Sequence, residues 1–379
     1  MQWQLIESDE DLGRLLARES ACDVVIVDTE FMRRNTFYPE VALVQLCFVH
    51  GDHSSDMAWL IDPLQIEDPS PLATLLTNSA VLKVMHSASE DFEVFQRWLG
   101  VLPQPLFDTQ RAAALVNLGF GLGYRALVQA ICDVDLPKGE TRSDWLQRPL
   151  TPSQCEYAGL DVTWLLPVWR ELHARCLRQD KLPWVLADGR YAMSSLGTEM
   201  DEPHRRIKTA SKLNRRQLGI LIAVCRWREE TARTRDKPRS WIIDDQACLQ
   251  LAQRDPRCHA ELSNDLGLPP PVVRRYGDAL LALLEAQRAV PEADLPPLLP
   301  APMDAAQRQQ VKRLREVAGA IARELAVAPE VLLQARDYEL LLREATGESV
   351  PVPVHWSGWR QDAVLAPLRR SLGTHGIPT

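Results

Sequence analysis

The sequence predicts an α/β domain in its first half and helices alone in its second half. Short apolar runs rich in β-branched residues alternate with helical patterns up to about residue 195, and no convincing strand pattern follows. A proline-rich stretch at 290–302 divides the helical half into two segments of similar size. We therefore predict an α/β domain at 1–195 and two small all-α domains at 207–289 and 303–379.

Short apolar runs predict the buried strands of the first domain. They are Val24–Val27, Val41–Val49, Trp59–Ile61 and Val81–Met85, with another short strand ending at Asp108. Helical spacing of apolar residues follows at Glu90–Leu99, Arg111–Leu118 and Tyr124–Ile131. A further helix is predicted to begin at Pro152, with Thr151 as its cap, because proline is favoured in a first helical turn. Alternating strands and helices favour a sheet covered by helices.

The second half carries helical patterns throughout. The predicted helices cover 211–232, 245–253, 271–288, 305–326, 329–345 and 360–372. The two segments that they form are alike in size, which is typical of a diverged repeat. No residue-level similarity between the segments proves such a repeat.

The composition is that of an ordinary globular protein, with 46% hydrophobic and 25% charged residues. It excludes wholesale disorder and a coiled coil. The net charge is −8, but Arg205–Arg239 carries twelve Lys or Arg and three acids, a net +9 that leaves −17 elsewhere. Such a segment is either a solvated helical face or a surface that binds nucleic-acid phosphates. Arg215 and Arg216 are its candidate substrate contacts.

The eight cysteines are irregularly spaced and include no C-x-x-C pair, which argues against a zinc ribbon and for reduced thiols. The acidic N-terminal segment has none of the features of a secretory signal. The apolar run Leu218–Cys225 is too short to span a bilayer. We expect a cytoplasmic protein with no membrane association, and the sequence indicates no obligate protein partner.

Three acidic segments carry the candidate chemistry. Asp28 and Glu30 end a strand at i, i+2 spacing, which places both carboxylates on one face, although a turn Asp with an exposed Glu has the same pattern. Asp91 lies where a helix opens, which equally suits a residue that favours the helix dipole. Tyr157 and Asp161 share one helix face at i, i+4, as a surface pair also would. Adjacent carboxylates repel unless a cation neutralises them, and Mg²⁺ or Mn²⁺ prefers oxygen ligands.

In this order the three segments resemble the exonuclease motifs of the ribonuclease D family, a branch of the four-carboxylate 3′→5′ exonucleases. The matching stretches are Asp28-Thr29-Glu30-Phe31, Tyr38-Pro39, Val44-Gln45-Leu46, His86-Ser87-Ala88-Ser89-Glu90-Asp91 and Tyr157-Ala158-Gly159-Leu160-Asp161-Val162. The connecting stretches Leu136-Pro137-Lys138-Gly139, Arg142-Ser143-Asp144-Trp145 and Arg148-Pro149-Leu150 are also similar. Trp227-Arg228-Glu229 and Asp236-Lys237-Pro238 resemble a helicase-and-RNase-D C-terminal (HRDC) module, and Trp356 with Gly358-Trp359-Arg360 resembles a second, more diverged copy.

The resemblance implies a ribonuclease-H-like exonuclease domain, with a mixed sheet flanked by helices, followed by two HRDC-type helical domains. It implies hydrolysis from RNA 3′ ends to 5′-monophosphates, and tRNA precursors with single-stranded 3′ tails as substrates. Two divalent ions, Mg²⁺ or Mn²⁺, would be held by Asp28, Glu30, Asp91 and Asp161, while Tyr157 orients the attacking water. The alternatives are a DNA exonuclease with the same site and a non-catalytic RNA-binding protein of the same fold.

Other side chains near the motifs are candidate substrate contacts. Phe31 and Met32 would pack on the terminal base, or else in the core. Arg33, Lys138 and Arg142 would meet phosphate or the scissile region, or else be solvated. For Asp108 the sequence leaves two roles open, namely support of the metal site and a helix cap.

Overall fold

The computed structural model describes residues 2–51, 53–54, 57–137, 139–140, 143–196 and 202–373. The chain forms two compact units. We call them the sheet unit, formed from 1–32, 39–196 and 304–379, and the helical unit, formed from 33–38 and 197–303.

The sheet unit contains a mixed sheet that has seven strands in the described residues. The strands are β1 (Gln2–Ile6), β2 (Val24–Met32), β3 (Glu40–His50), β4 (His53–Ser54), β5 (Met57–Ile61), β6 (Leu82–Met85) and β7 (Leu106–Asp108). Their order is β1-β5-β3-β2-β6-β7, and β4 pairs with β3. Neighbours are parallel except in the β2–β3, β3–β5 and β3–β4 pairs. The predicted α/β fold is confirmed, and β2, which carries the first acidic motif, lies in the middle of the sheet.

Helices flank this sheet. They are α1 (Asp9–Arg18), α2 (Ser70–Thr77), α3 (Ser89–Trp98), α4 (Thr109–Leu115), α5 (Tyr124–Cys132), α6 (Pro152–Thr163), α7 (Leu165–Arg178) and α8 (Leu182–Ser194). The predicted cap of α6 is present: Thr151 accepts a hydrogen bond from the Gln154 backbone N–H, and the Gln154 side chain accepts one from the Thr151 N–H.

The two faces of the sheet differ in what covers them. Val25 and Val27 of β2 and Val44 and Leu46 of β3 belong to an apolar cluster that includes residues of α1, α2 and α3. Because side chains alternate along a strand, the residues between them lie on the opposite face. Helix α6 contributes nothing to that cluster but packs against β2, β3 and β5, so it covers the opposite face.

The C-terminal helices belong to the sheet unit. They are α14 (Ala305–Glu324), α15 (Ala335–Ala345) and α16 (Ala366–Gly373). The Arg360 guanidinium binds both oxygens of Asp188 on α8, at 2.5 and 2.7 Å, and both side chains are buried. Beside this pair Trp359 stacks on Trp184, with ring centroids 4.4 Å apart. The segment that resembles a second HRDC copy is thus anchored to α8 by a buried ion pair and an aromatic stack.

The helical unit has its own apolar core, which contains Leu221, Val224, Leu251 and Leu280. Its helices are α9 (Arg215–Arg235), α10 (Arg239–Ile242), α11 (Asp245–Arg254), α12 (His259–Asn264) and α13 (Pro270–Arg288). Shorter 3₁₀ turns of both units lie at Pro203–Arg206, Ala210–Lys212, Glu292–Asp294, Pro329–Val331 and Val354–Trp356, and a π turn lies at Gln361–Leu365. None of the described helices has the length and apolar character needed to cross a membrane.

Candidate active site

The first acidic motif lies on the central strand β2. Asp28 and Glu30 are two residues apart, so their carboxylates share the face that α6 covers, and both side chains are partly exposed. The β2–β3 register shifts between Glu30 and Phe31. Such a bulge changes the direction in which the neighbouring side chains point. It lies directly after the second of the two carboxylates along the strand.

Asp91 reaches the same strand from α3. It is 7% exposed, and the Thr29 hydroxyl of β2 donates a hydrogen bond to its carboxylate. The turn before α3 contains Ser87 in the left-handed region, with a φ of 56°. Asp108 supports this turn, since its Oδ2 accepts a hydrogen bond of 3.2 Å from the Ala88 N–H.

The helix-cap role left open for Asp108 is confirmed, and support of the metal site stays a prediction. While Oδ2 holds the turn before α3, Oδ1 accepts hydrogen bonds from the Gln110 and Arg111 N–H groups, at 2.8 and 3.1 Å. Asp108 therefore caps α4 and also fixes the segment that carries Asp91.

The third motif lies on α6, as predicted. Tyr157 and Asp161 are one turn apart and both are partly exposed. The Tyr124 hydroxyl donates a 2.7 Å hydrogen bond to the Leu160 carbonyl, next to Asp161. The ring of Tyr124 also meets His86 edge to face, with centroids 5.8 Å apart. The second and third motifs are thus joined through Tyr124, on α5.

The carboxylates act on one another electrostatically. Burial raises the pKa of Asp28 well above its usual range, and the charges of Asp91, Asp161 and Glu30 raise it further. Burial also raises the pKa of Glu30, with Asp161 and Asp91 adding to the effect. Burial raises the pKa of Asp91 to about 6 and that of Asp161 to about 7. These four groups therefore share one region in which negative charge is costly.

A divalent cation fits the chemistry of this donor set. In the described part of the chain, no three His, Cys, Asp or Glu side chains already stand together as a metal site. The four carboxylates nevertheless supply only oxygen, the ligand that Mg²⁺ and Mn²⁺ prefer, and their mutual repulsion is relieved by positive charge. A cation would draw together groups that repel one another without it.

The ring of Tyr157 is closely enclosed. A Cβ atom placed on Gly139 would lie 2.6 Å from Cδ2 of Tyr157, closer than carbon atoms approach without displacement. Trp145, which is buried, packs against the same ring at a tilt of 44°, with centroids 6.1 Å apart. Only glycine at position 139 leaves room for this orientation of the phenol.

Arg148 anchors the chain between Trp145 and α6. Its guanidinium donates to both oxygens of the buried Asp62, at 2.5 and 2.7 Å, and to the Ala42 carbonyl of β3 at 2.7 Å. The same side chain donates to the Trp145 carbonyl at 2.9 Å. This network fixes the position of Trp145, which packs against Tyr157.

The predicted substrate contacts are placed unevenly. Phe31 and Met32 are half-buried at the end of β2, and Arg33 is exposed and belongs to the helical unit. Lys138 and Arg142 lie outside the described residues. A role in substrate binding remains a prediction for each of them.

Arg215 and Arg216 bind backbone carbonyls within the helical unit. Arg215 donates to Leu295 at 2.6 Å, and Arg216 donates to Val290 at 2.5 Å. Both arginines thus hold the chain that follows α13. Their contact with substrate stays a prediction, and these hydrogen bonds give both side chains a part in the fold.

Sequence reasoning assigned no role to Thr29, Tyr124 or Gln45, which the fold brings to the carboxylates. Thr29 and Gln45 lie within the stretches that resemble the family's first exonuclease motif, so the sequence did mark these two positions. Their role depends on strand register and on which helix covers which face, and neither is readable from spacing along the chain.

The fold and its carboxylates define a 3′→5′ exonuclease, and comparison with known proteins supports this class. The family model described as a 3′-5′ exonuclease matches residues 3–176, and the HRDC domain model matches 217–284. Ribonuclease D of Pseudomonas paraeruginosa is 39% identical over 98% of this chain and 97% of its own length. Ribonuclease D of Escherichia coli is 34% identical over 98% and 99%.

A solved structure agrees with the sequence matches. The crystal structure of the Escherichia coli enzyme, titled "an exoribonuclease involved in structured RNA processing", superposes with a TM-score of 0.90, with 33% identity and full coverage of both chains. The chain belongs to the ribonuclease D family, and the resemblance in its motifs is confirmed. It is therefore a hydrolytic 3′→5′ exoribonuclease. Exonucleases of this family generally depend on divalent metal ions.

Proposed function

We propose that the chain shortens RNA from its 3′ end at the site built by Asp28, Glu30, Asp91 and Asp161, releasing 5′-monophosphates. The observation that carries this proposal is the pool of four carboxylates whose pKa values are all raised. Holding four carboxylates close together costs free energy in the metal-free fold, but the same arrangement is suited to binding cations. Two Mg²⁺ or Mn²⁺ ions bound there would lower the pKa of a water and neutralise charge on the leaving 3′-oxygen.

The side chains have separate roles in this proposal. Asp28, central among the four, would hold the ions together with Glu30 and Asp161 on one side and Asp91 on the other. The Tyr157 hydroxyl orients the attacking water by a hydrogen bond, because a phenol with a pKa near 10 is a poor base at pH 7. Gly139 and Trp145 keep that hydroxyl in place.

We further propose tRNA precursors with single-stranded 3′ tails as substrates. The related Escherichia coli protein is described as an exoribonuclease involved in structured RNA processing. The helical unit, which contains the HRDC match, has exposed cations that could bind such an RNA. No disulfide joins any of the cysteines, all of which lie in the described residues, and this supports a cytoplasmic location. No obligate protein partner is part of the proposal.

The proposal is tested with 5′-labelled RNA and DNA of one sequence, each with a single-stranded 3′ tail. We expect shortening from the 3′ end of RNA in Mg²⁺ or Mn²⁺, none in EDTA, and nucleoside 5′-monophosphates as products by mass spectrometry. Equal shortening of DNA would favour the DNA exonuclease alternative. Binding of RNA without any product would contradict the enzymatic proposal.

A further inference from the structure

Gln45 is a fully buried amide whose hydrogen bonds are all unmade within the described structure. It is 0% exposed, and neither its Nε2 nor its Oε1 has a hydrogen-bond partner there. Buried polar side chains are nearly always paired, so an orphaned amide calls for an unseen partner such as a water or an ion. Leaving both atoms unpaired opposes folding, because each loses its bonds to water.

The position of Gln45 indicates where that partner lies. Gln45 is the register partner of Asp28 in the antiparallel β2–β3 pair. Residues directly opposite each other in such a pair project from the same face, with Cβ atoms about 5 Å apart. Gln45 therefore shares with Asp28 the face that α6 covers, and its amide is a close neighbour of the central carboxylate of the site.

Gln154 shows that this chain satisfies a buried amide where the role is structural. It too is 0% exposed. Its Nε2 donates to Ser143 Oγ at 2.9 Å, and its Oε1 accepts from the Thr151 N–H at 2.9 Å and from Gln147 Nε2 at 3.0 Å. Two glutamines with equal burial thus differ in every polar contact, and the unsatisfied one lies beside Asp28.

We infer that Gln45 is a positioning residue of the metal site, whose amide is satisfied only when a hydrated divalent cation binds at Asp28. This inference rests on the proposed function. Outer-shell groups of this kind orient ligand carboxylates and the water that a cation carries, and losing one lowers metal affinity about 10–100-fold. In the metal-free fold the Gln45 amide has no hydrogen-bond partner, and in the cation-bound fold it has one.

The test compares Gln45→Met with the matched variant Gln154→Met in the full-length chain, each replacing a buried amide by an apolar side chain of similar length. Apo stability is measured as the thermal midpoint in EDTA, and Mn²⁺ affinity by calorimetry and by the electron paramagnetic resonance signal of free Mn²⁺. We expect Gln45→Met to raise the apo midpoint and to weaken Mn²⁺ binding about tenfold or more. Gln154→Met should lower the apo midpoint, since it leaves the partners of Gln154 unpaired.

Either an unchanged Mn²⁺ affinity or a lowered apo midpoint for Gln45→Met overturns the inference. The first result would mean that a cation does not satisfy the amide, and the second that the protein already does. Gln45→Leu serves as a second variant in case methionine packs poorly. If the wild-type chain itself binds no Mn²⁺, the proposed function fails. If the wild type and Gln45→Met bind equally, the inference alone fails.

Discussion

Two groups of carboxylates in this protein differ in what neutralises them. Asp62, Asp188 and Glu229 are buried, and each forms a close ion pair with an arginine, namely Arg148, Arg360 and Arg239. Asp28, Glu30, Asp91 and Asp161 have one another as charged neighbours, and the pKa of each is raised. The paired group is neutralised within the fold, whereas the charges of the pooled group repel one another, as expected if they bind the cations that we propose.

The pKa values make the same distinction. Burial works against ionisation of Glu229, but its hydrogen bond to Arg239 and the charges of Arg239 and Arg233 outweigh burial, so its pKa is lowered. For Asp28 burial and the neighbouring charges act in the same direction, and its pKa is raised. The folded environment therefore favours the ionised carboxylate at Glu229 and disfavours it at Asp28, and such a raised pKa is expected at a functional site.

The largest effect is expected from Asp28→Asn. The variant should lose about 10⁴-fold or more in RNA hydrolysis, because cation-based charge stabilisation supplies several kcal/mol and each 1.36 kcal/mol is a factor of ten. In EDTA its thermal midpoint should equal or exceed that of the wild type, since removing one charge relieves the pool. Near-wild-type turnover in Mg²⁺, or a clearly lowered apo midpoint, would contradict this interpretation.

Asp188→Asn should act in the opposite way. It leaves the buried guanidinium of Arg360 without its counter-charge, a change that costs roughly 3–5 kcal/mol of unfolding free energy. Urea unfolding measures the loss. Glu10→Gln is the control, because it removes a carboxylate from an exposed pair with Arg14 and should leave the unfolding curve unchanged. Equal stability of Asp188→Asn and wild type would mean that this pair does not hold α14–α16 to α8.

Tyr157→Phe separates a positioning group from the pooled carboxylates. We expect a loss of about 10²–10³-fold in kcat, the scale of one positioned catalytic group, with Mn²⁺ affinity and apo stability preserved. Gly139→Ala should lower kcat in the same way, because its methyl group displaces the ring. Gly13→Ala, where the added methyl meets nothing within 4 Å, is the matched control.

A double variant decides whether Gly139 acts through the Tyr157 hydroxyl. In the Tyr157→Phe background, Gly139→Ala should reduce kcat little further, because the hydroxyl that it displaces is already gone. Losses that multiply would show that Gly139 acts on something else.

The apo stability of the pooled group should depend on pH with a definite sign. In the unfolded chain Asp91 and Asp161 release their protons near pH 4, but in the folded chain their pKa values are about 6 and about 7. The folded state binds more protons between these values, so the free energy of unfolding should fall as pH rises from about 4 to 7. Glu229 has the opposite sign, and its contribution is lost only as pH falls through its lowered pKa.

Urea unfolding in EDTA at several pH values measures this slope. Saturating Mg²⁺ should flatten or reverse it, since cations favour the ionised carboxylates. The variant with all four carboxylates replaced, Asp28→Asn, Glu30→Gln, Asp91→Asn and Asp161→Asn, should also lose most of the slope in EDTA. If it kept the wild-type slope, the pH dependence would arise outside the site.

Local signals were sufficient to predict the strands that carry the site. Val24–Val27 is a continuous apolar run and Asp28 follows it, so both β2 and the position of the first motif could be predicted. Gln2–Ile6 was not predicted, because its first residues are exposed and its strand is defined by pairing with β5. Similarly, α1 is rich in acidic residues and α2 is short, and neither was predicted.

Long-range pairing could not be predicted from the sequence. Gln45 lies beside Asp28 through strand register, and Gly139 meets Tyr157 through the path of a loop. Arg360 pairs with Asp188, which lies 172 residues earlier in the sequence. Likewise, the carbonyls that bind Arg215 and Arg216 are backbone groups more than 70 residues away, which charge counting does not detect. Charge density predicted a basic segment but not which of its cations are already engaged.

The smallest expected effect concerns the cations of that segment, which divide as the carboxylates do. Arg215 and Arg216 are engaged by carbonyls of the helical unit, whereas Lys212 and Arg226 are exposed. If exposed charge serves external partners, replacing Lys212 and Arg226 with Gln should weaken binding of a tRNA precursor a few-fold. The slope of log K against log salt should fall by up to about 2, roughly one for each phosphate that is no longer neutralised. Cleavage of short oligomers and the unfolding midpoint should stay unchanged.

Arg215→Gln with Arg216→Gln removes the same charge but breaks bonds within the fold, so this control should lower stability and change the slope less. Equal salt slopes for wild type and the Lys212, Arg226 variant would show that these cations are merely solvated, and the division between engaged and available charge would then hold for the carboxylates alone.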